Sequence, residues 1–443
     1  MKNFFLFIFM VASINAYSQW TFISRIPGNP SVNSISAADQ NVIWVSCNGG
    51  VLYKTVNGGV NWMLRNSGLP VTGLIGISAL DTSSCWVGTE TGSIYHTSNG
   101  GMNWTVQFSL AGSFSNGVKM FNQNYGIYYG DPTGSGQPYQ FRYTTNGGNN
   151  WLLSPNSPLS TNDYGVVNAW DWIDTAKIWL GIGNPVANAT STRIINTTSG
   201  FAGGVWNSTP ITGTGENIGL YYTAIAFTDA NNGMAGSFEG DMRKTTDGGI
   251  TWTSALNVPL TGVKRYRYMS GIKDGSNVIR VSVIFGSSNY CFKTTNFGDV
   301  WTLDSLPSAG TSGGINQMEF LNGTLGYSAG NAGVFMRYGN TVGINNSNSQ
   351  IPSEYNLDQN YPNPFNPNTR INFRISKSNF VSIKVYNALG KEMITLVNEN
   401  KTAGSYSVDF DGGNFSSGLY YYTLSVTGGT EFFTSTKKML LVK

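Results

Sequence analysis

The chain has 443 residues, of which 55 are Gly and 49 are Asn, so almost a quarter of it readily adopts tight-turn geometry. Charged residues make up 11% and the net charge is +3, which argues against disorder by charge repulsion and against nucleic-acid binding, for want of a basic footprint. One His and three Cys argue against zinc fingers, haem and iron–sulfur clusters, so neither a metal nor a cofactor is expected.

Residues 1–18 are read as a secretory signal peptide: Met1-Lys2-Asn3, an apolar run from Phe4 to Ile14, then small residues. Cleavage after Ser18 would leave Gln19 at the mature N-terminus. No later segment offers about 20 uninterrupted apolar residues for a membrane span. Cys47, Cys85 and Cys291 lie in apolar, strand-like runs, which predicts buried free thiols rather than a disulfide framework.

One phrase then recurs: Thr55 to Trp62, Thr97 to Trp104, Thr144 to Trp151, Thr245 to Trp252 and Thr294 to Trp301, with a degenerate copy from Thr198 to Trp206. Asn or Asp opens a turn by bonding its own backbone, Gly supplies positive φ, and Trp starts the returning strand and packs on the sheet. The phrase is a hairpin staple. Upstream of the staples run strand pairs beginning near Trp44, Trp86, Tyr128, Trp179, Met234, Val281 and Tyr327, seven in all. The tryptophans at 20, 62, 104, 151, 206, 252 and 301 are 42, 42, 47, 55, 46 and 49 residues apart, the period of a four-stranded propeller blade. Trp20 has no strand pair before it, and the pair ending at Tyr338 has no staple Trp after it. The N-terminal strand is therefore predicted to close the seventh blade and remove an exposed sheet edge.

These staples resemble the Asp-box, or BNR, repeats of sialidases, xyloglucan-cleaving propeller glycosidases, sortilin-type receptors and photosystem II assembly-factor propellers. The resemblance covers about residues 19–340 and implies fold rather than activity. Ser24-Arg-Ile-Pro27 is similar to the motif carrying the first sialidase arginine, but Ile26-Pro27 falls in the slot of Leu69-Pro70, a blade connection. Asp39 aligns with Asp81 and Asp229 in turns. His96, the only histidine, takes the slot of Lys54, Lys244 and Lys293, an ordinary strand position. Asn-Gly-Gly staples lack the carboxylates of a calcium loop.

Subtracting the repeat leaves Trp170 and Trp172, flanking Asp171 on the predicted innermost strand of blade 4. The matching strand of blade 6 is the basic, aromatic run Lys264 to Tyr268, whose alternation would put Arg265 and Arg267 on one side. Gly130 to Tyr139, Gly183 to Ser191 and Asn207 to Tyr221 are insertions expected on one face. That face, with Trp170, Asp171, Trp172, Arg265 and Arg267 towards the central channel, is the candidate binding site, using aromatic stacking and Arg hydrogen bonds.

Beyond the Asn/Ser-rich segment 341–353, read as a linker, short alternating strands over 354–443 suggest a small Ig-like β-sandwich. The segment resembles the type A sorting domain of the type IX secretion system of Bacteroidetes and relatives. The matching features are the Tyr-Pro-Asn363-Pro364-Phe365-Asn-Pro opening, the Val385 to Gly390 phrase, Gly404-Ser-Tyr406, Gly418-Leu-Tyr420 and the terminal strand with Lys437 and Lys438. The resemblance implies passage of the propeller across the outer membrane by that machinery, then release or attachment at the cell surface.

The expectation is an all-β chain, a seven-bladed β-propeller followed by the sandwich, secreted or displayed as a monomer. It would bind a protein or glycan without catalysis. The alternative is a polysaccharide-acting glycoside hydrolase of the sialidase or xyloglucanase type.

Overall fold

The computed structural model describes residues 19–183, 192–211, 222–273, 276–339, 354–401, 404–413, 415–428 and 431–442. Residues 1–18 and 341–353, read from the sequence as a signal peptide and a linker, lie outside the described residues, as do 184–191 and 212–221 of the expected insertions. The chain divides into two units, 1–340 and 341–443.

Seven four-stranded antiparallel sheets make up the first unit. Blade 1 is Val32–Ala37, Ile43–Cys47, Leu52–Thr55 and Met63–Leu64, innermost strand first. The next five repeat this order, with first strands Leu74–Ala79, Ser115–Met120, Tyr164–Trp172, Tyr222–Phe227 and Lys264–Gly271. Blade 7 has Gln317–Asn322, Leu325–Ala329 and Val334–Tyr338, and takes its fourth strand, Trp20–Arg25, from the other end of the unit. The register runs from Trp20 opposite Tyr338 to Arg25 opposite Val334. This is the closure expected from the count of staples and strand pairs. Val334–Tyr338 is thereby paired on both sides.

Each staple is a hydrogen-bonded knot with an inter-blade task. Thr55 Oγ1 accepts from the Gly59 N–H at 3.0 Å and donates to Asn57 Oδ1 at 2.9 Å, and Asn57 Oδ1 accepts from the Asn61 N–H. The same set recurs around Thr97, Thr144, Thr245 and Thr294. Gly59 has φ +91° and sits so close to the previous blade that a Cβ would lie 2.2 Å from the Phe335 ring. The tryptophans reach back the same way. Trp62 Nε1 donates to Ser24 Oγ, Trp104 Nε1 to the Arg65 carbonyl and Trp301 Nε1 to the Leu256 carbonyl, each in the preceding blade. Trp20, Trp104, Trp151 and Trp301 are buried, while Trp62, Trp206 and Trp252 are half-buried. The staple thus fastens neighbouring blades as well as closing its own hairpin. Replacing Thr97 by Val removes the acceptor for the buried Gly101 N–H. It is expected to cost about 1–3 kcal/mol, read as a lower urea midpoint at unchanged m-value, whereas an unmoved midpoint would show the knot to be dispensable.

The three cysteines are buried and unpaired. Burial pushes the Cys47 thiol up to about 12, so it stays protonated and unreactive at neutral pH. His96 stacks on Trp86, ring centroids 4.2 Å apart, and burial lowers its pKa.

The second unit has two sheets over one core. The strand order is Asn356–Leu357, Asn368–Ile375, Gly404–Asp411 in one sheet, and Glu392–Lys401, Asn379–Asn387, Gly418–Gly428, Glu431–Leu441 in the other. Asn368–Ile375 alternates strictly between exposed and buried, as a strand with one covered face must. Ile371, Phe373, Val385, Tyr422, Met439 and Leu441 meet in the shared core.

The Pro-Asn-Pro-Phe segment lies along the outer edge of the terminal strand. The Phe365 N–H donates to the Leu440 carbonyl and the Phe365 carbonyl accepts from the Val442 N–H, while Asn363 Oδ1 accepts from the Leu440 N–H. Pro364 is held between these two bridging residues. Tyr406 stacks on Phe373, and Tyr420 is buried with its hydroxyl on the Ser416 carbonyl. Gly404 and Gly418 open their strands. Lys437 and Lys438 stand opposite Tyr422 and Tyr421, with Lys438 exposed. Side chains of Gln359 and Asn363 bond the Lys438 carbonyl, so this part of the edge is capped rather than open.

Candidate functional site

The first strand of each blade runs along the axis, beginning at the end where the second and third strands are joined and ending at the staple end. In blades 1, 2, 3, 5 and 6 its first half contains one extra residue relative to its partner strand. A bulge re-aims the side chain it inserts, and here Asn33, Thr223 and Arg267 are thereby brought to the axis. In blade 4 the bulge is larger: Gly165 pairs with Ile182 and Trp170 with Leu180, so four residues face one. Asn168, in left-handed backbone geometry with φ +58°, sends its amide across the ring to the Asn33 carbonyl at 2.8 Å.

Asn168 lines two cavities, one on each side of it. The insertion-side cavity, about 600 Å³, is walled by Tyr164, Val166, Val167, Phe238, Arg267 and Asn316 among others. Tyr164 and Val167 remain 41% and 38% exposed. Arg267 Nη2 donates to Asn316 Oδ1, and Asn316 is itself fixed by its amide on the Val32 carbonyl. Asp131, at the root of the insertion 131–139, accepts from Asn116 Nδ2 at 2.6 Å and from the Gly165 N–H at 2.8 Å, anchoring the start of the bulged strand. Burial raises its carboxyl to about 6.

The staple-side cavity, about 430 Å³, is lined by Trp170, Asp171, Trp172, Lys119, Lys273 and Glu319, with Tyr268 and Gln317. Its chemistry follows from one slot of the repeat. The residues one before the last paired position of each first strand, counted in blade 7 to Phe320 ahead of its terminal register shift, are Ser36, Ser78, Lys119, Asp171, Ala226, Ser270 and Glu319. Four of them accept a backbone N–H from the next blade. Ser36 takes that of Ala79, Ser78 that of Met120, Asp171 that of Phe227 and Glu319 that of Ala37. Asp171 also accepts from Lys273 Nζ and from the Trp172 N–H. Lys119 and Lys273 each lie 5.0 Å from the Trp172 ring centroid. Burial, with Lys273 adding to it, lowers the Lys119 pKa against the pull of Glu319 and Asp171. Burial raises the Glu319 carboxyl, and it raises the Tyr268 phenol with help from Asp171 and Glu319.

Three expectations are corrected by this geometry. Trp170, Asp171 and Trp172 line the staple-side cavity, not the insertion-bearing face, because they occupy the second half of their strand. Trp170 is 8% exposed and packs between blades, over Gly117, where a Cβ would meet the indole at 2.5 Å; it offers no stacking face. The bulge at Arg267 breaks the alternation, so Arg267 reaches the insertion-side cavity while Arg265 is exposed and lies over the Phe238 ring at 4.9 Å. The structure groups the five residues into three places. Lys119, Lys273 and Glu319 were not singled out from the sequence, although aligning the ends of the seven first strands would have marked two of them.

Among the described residues no group of three or more His, Cys, Asp or Glu could hold a metal ion.

The fold and the motifs define a BNR-type β-propeller joined to a C-terminal sorting domain of the type IX secretion kind. Residues 28–129 match the family model of the photosynthesis system II assembly factor YCF48, and residues 359–441 match the secretion system C-terminal sorting domain. YCF48 bound to D1 peptide superposes with TM-score 0.56 at 15% identity, covering 73% of this chain and 96% of that one. YCF48 from Cyanidioschyzon merolae gives 0.54 at 16%, covering 72% and 98%. The GH74 xyloglucanase from Xanthomonas campestris gives 0.51 at 11%, covering 72% of this chain and 53% of that one. At these identities the likeness is one of fold. No curated protein matches the chain in sequence. The sorting domain implies export through type IX secretion.

Proposed function

We propose that this chain is an exported, non-enzymatic propeller that holds a segment of another protein in its insertion-side cavity. The observation that carries this reading is the blade 4 bulge, which displays Tyr164, Val166 and Val167 in a concave site beside Arg267. Exposed apolar side chains grouped around one Arg in a concavity are the composition of a protein contact. The YCF48 propeller of similar fold binds a peptide, the D1 peptide. A glycan would draw on broad, free aromatic faces, and the sequence-selected Trp170 is packed away.

Hydrolysis has less support. It asks for two free carboxyl groups about 5–10 Å apart, and the two axial carboxylates, Asp171 and Glu319, each accept a backbone N–H from the next blade.

The test is panning of a random peptide library on the mature protein, with a glycan array in parallel. Enriched peptides are expected to bind Arg267→Ala and Tyr164→Ala variants more weakly by about 2 kcal/mol each, roughly thirtyfold. Unchanged peptide affinity in both variants, or hits on glycans alone, would overturn the assignment.

A further inference from the structure

We infer that the staple-side cavity is a second binding site, for a carboxylate, in which the Lys119 ammonium holds the acid group beside Trp172. This site shares none of these residues with the insertion-side cavity.

In four of the seven blades the slot containing Lys119 gives the following blade a hydrogen-bond acceptor, from Ser36, Ser78, Asp171 and Glu319. An ammonium has no acceptor to give. The N–H that Lys119 leaves unserved, that of Trp172, is taken by Asp171 Oδ1 at 2.9 Å. No described residue accepts a hydrogen bond from Lys119 Nζ, which lies 5.0 Å from the Trp172 ring centroid, and Glu319 is the leading charge that acts on it. A half-buried cation without an acceptor is costly. Places where a residue departs from the local rule at such a cost are where function is expected.

The surroundings select the ligand. Asp171 is filled by Lys273, the Phe227 N–H and the Trp172 N–H, and Glu319 Oε2 takes the Ala37 N–H, so the lining cation not already bonded to a carboxylate is Lys119. Two fixed carboxylates nearby disfavour a dianion such as phosphate and admit a single negative charge. The half-exposed Trp172 ring supplies an apolar wall for whatever carries the acid. An aliphatic acid and a hexuronate share this chemistry.

The test titrates the mature protein with acetate, glucuronate and, as the neutral counterpart, glucose, following tryptophan emission and the melting temperature. Saturable binding of both acids with equal affinity assigns the acid group alone; tighter binding of glucuronate assigns a uronate. Lys119→Ser restores the residue found in the slot at Ser36 and Ser78, so its melting temperature is expected to hold or rise while acid affinity falls at least tenfold. Lys119→Arg keeps the cation and is expected to retain binding. Binding needs the ammonium, so it is present below the Lys119 pKa and lost as pH rises through it. Burial and Lys273 set that loss below the ordinary lysine value of 10.5, with Glu319, Asp171 and Tyr268 as the other titratable groups facing the site. Failure of both acids to saturate, or a Lys119→Ser variant that binds like the parent, overturns the inference. So does saturable binding of glucose at an affinity equal to that of glucuronate. Peptide binding at Arg267 and Tyr164 should be unaffected by either Lys119 variant, which separates failure of this site from failure of the other.

Discussion

Deleting residues 19–25 is expected to convert the propeller from a cooperatively folded ring into a protease-sensitive, aggregation-prone species. The strand Trp20–Arg25 contributes a buried Trp, 2% exposed, that meets Phe320 and Tyr338 edge-on at 5.9 and 5.3 Å. Loss of that side chain alone, in Trp20→Ala, should cost about 3–5 kcal/mol. The deletion does more, because it also bares the ladder edge of Val334–Tyr338 along its whole length, and a bare apolar edge invites pairing with another chain. It further removes Ser24, the acceptor of the Trp62 indole, and so loosens blade 1 from blade 7. Urea unfolding and limited proteolysis measure the effect. A synthetic peptide of residues 19–27 added to the truncated protein is expected to restore part of the lost midpoint, since the groove it fills is preformed by blade 7. Equal midpoints for parent and truncated protein would refute the closing role.

The second large effect concerns export. Removal of Lys437 to Lys443 is expected to leave the protein in the periplasm. Two physical causes are combined in that deletion and can be separated. Met439 and Leu441, 0% and 1% exposed, go with it, and so does the strand on which Phe365 is bridged. The sorting domain would therefore lose its fold as well as its lysines. Phe365→Ala tests the fold: the side chain is 2% exposed and packs on Phe410, so about 3–5 kcal/mol should be lost and surface display should fall with it. A Lys437→Ala, Lys438→Ala double variant tests recognition, because neither side chain is in the core and melting should be unchanged. Cell fractionation with surface labelling reads both. Normal display of the seven-residue truncation would sink the role of the terminal strand; display lost in the lysine variant at unchanged stability would make the lysines part of what the machinery reads.

Much of the architecture was legible because its determinants are local. A staple needs Thr, Asn or Asp, Gly at positive φ and Trp at fixed offsets, and those demands print themselves on the sequence five times over. The blade count and the closing strand follow from where Trp20 and Tyr338 stand in that pattern. The site was less legible for an equally physical reason. A bulge adds a residue to one strand without any composition signal, so the alternation assumed for Arg265 and Arg267 failed at Arg267 itself. Trp170 stood out as a tryptophan the repeat does not use, yet its use is packing against Gly117. Lys119 and Glu319 were visible in principle, since they replace serine in an aligned slot. Lys273 was not, because it lies past the end of its strand and reaches Asp171 two blades away.

The amide of Asn168, stretched from blade 4 to the carbonyl of Asn33 in blade 1, also ties opposite sides of the ring together at the axis. It lines both cavities, so along the axis they meet at a single side chain. Asn168→Ala is therefore the one substitution expected to alter both cavities at once, whereas Lys119→Ser and Arg267→Ala each act on one.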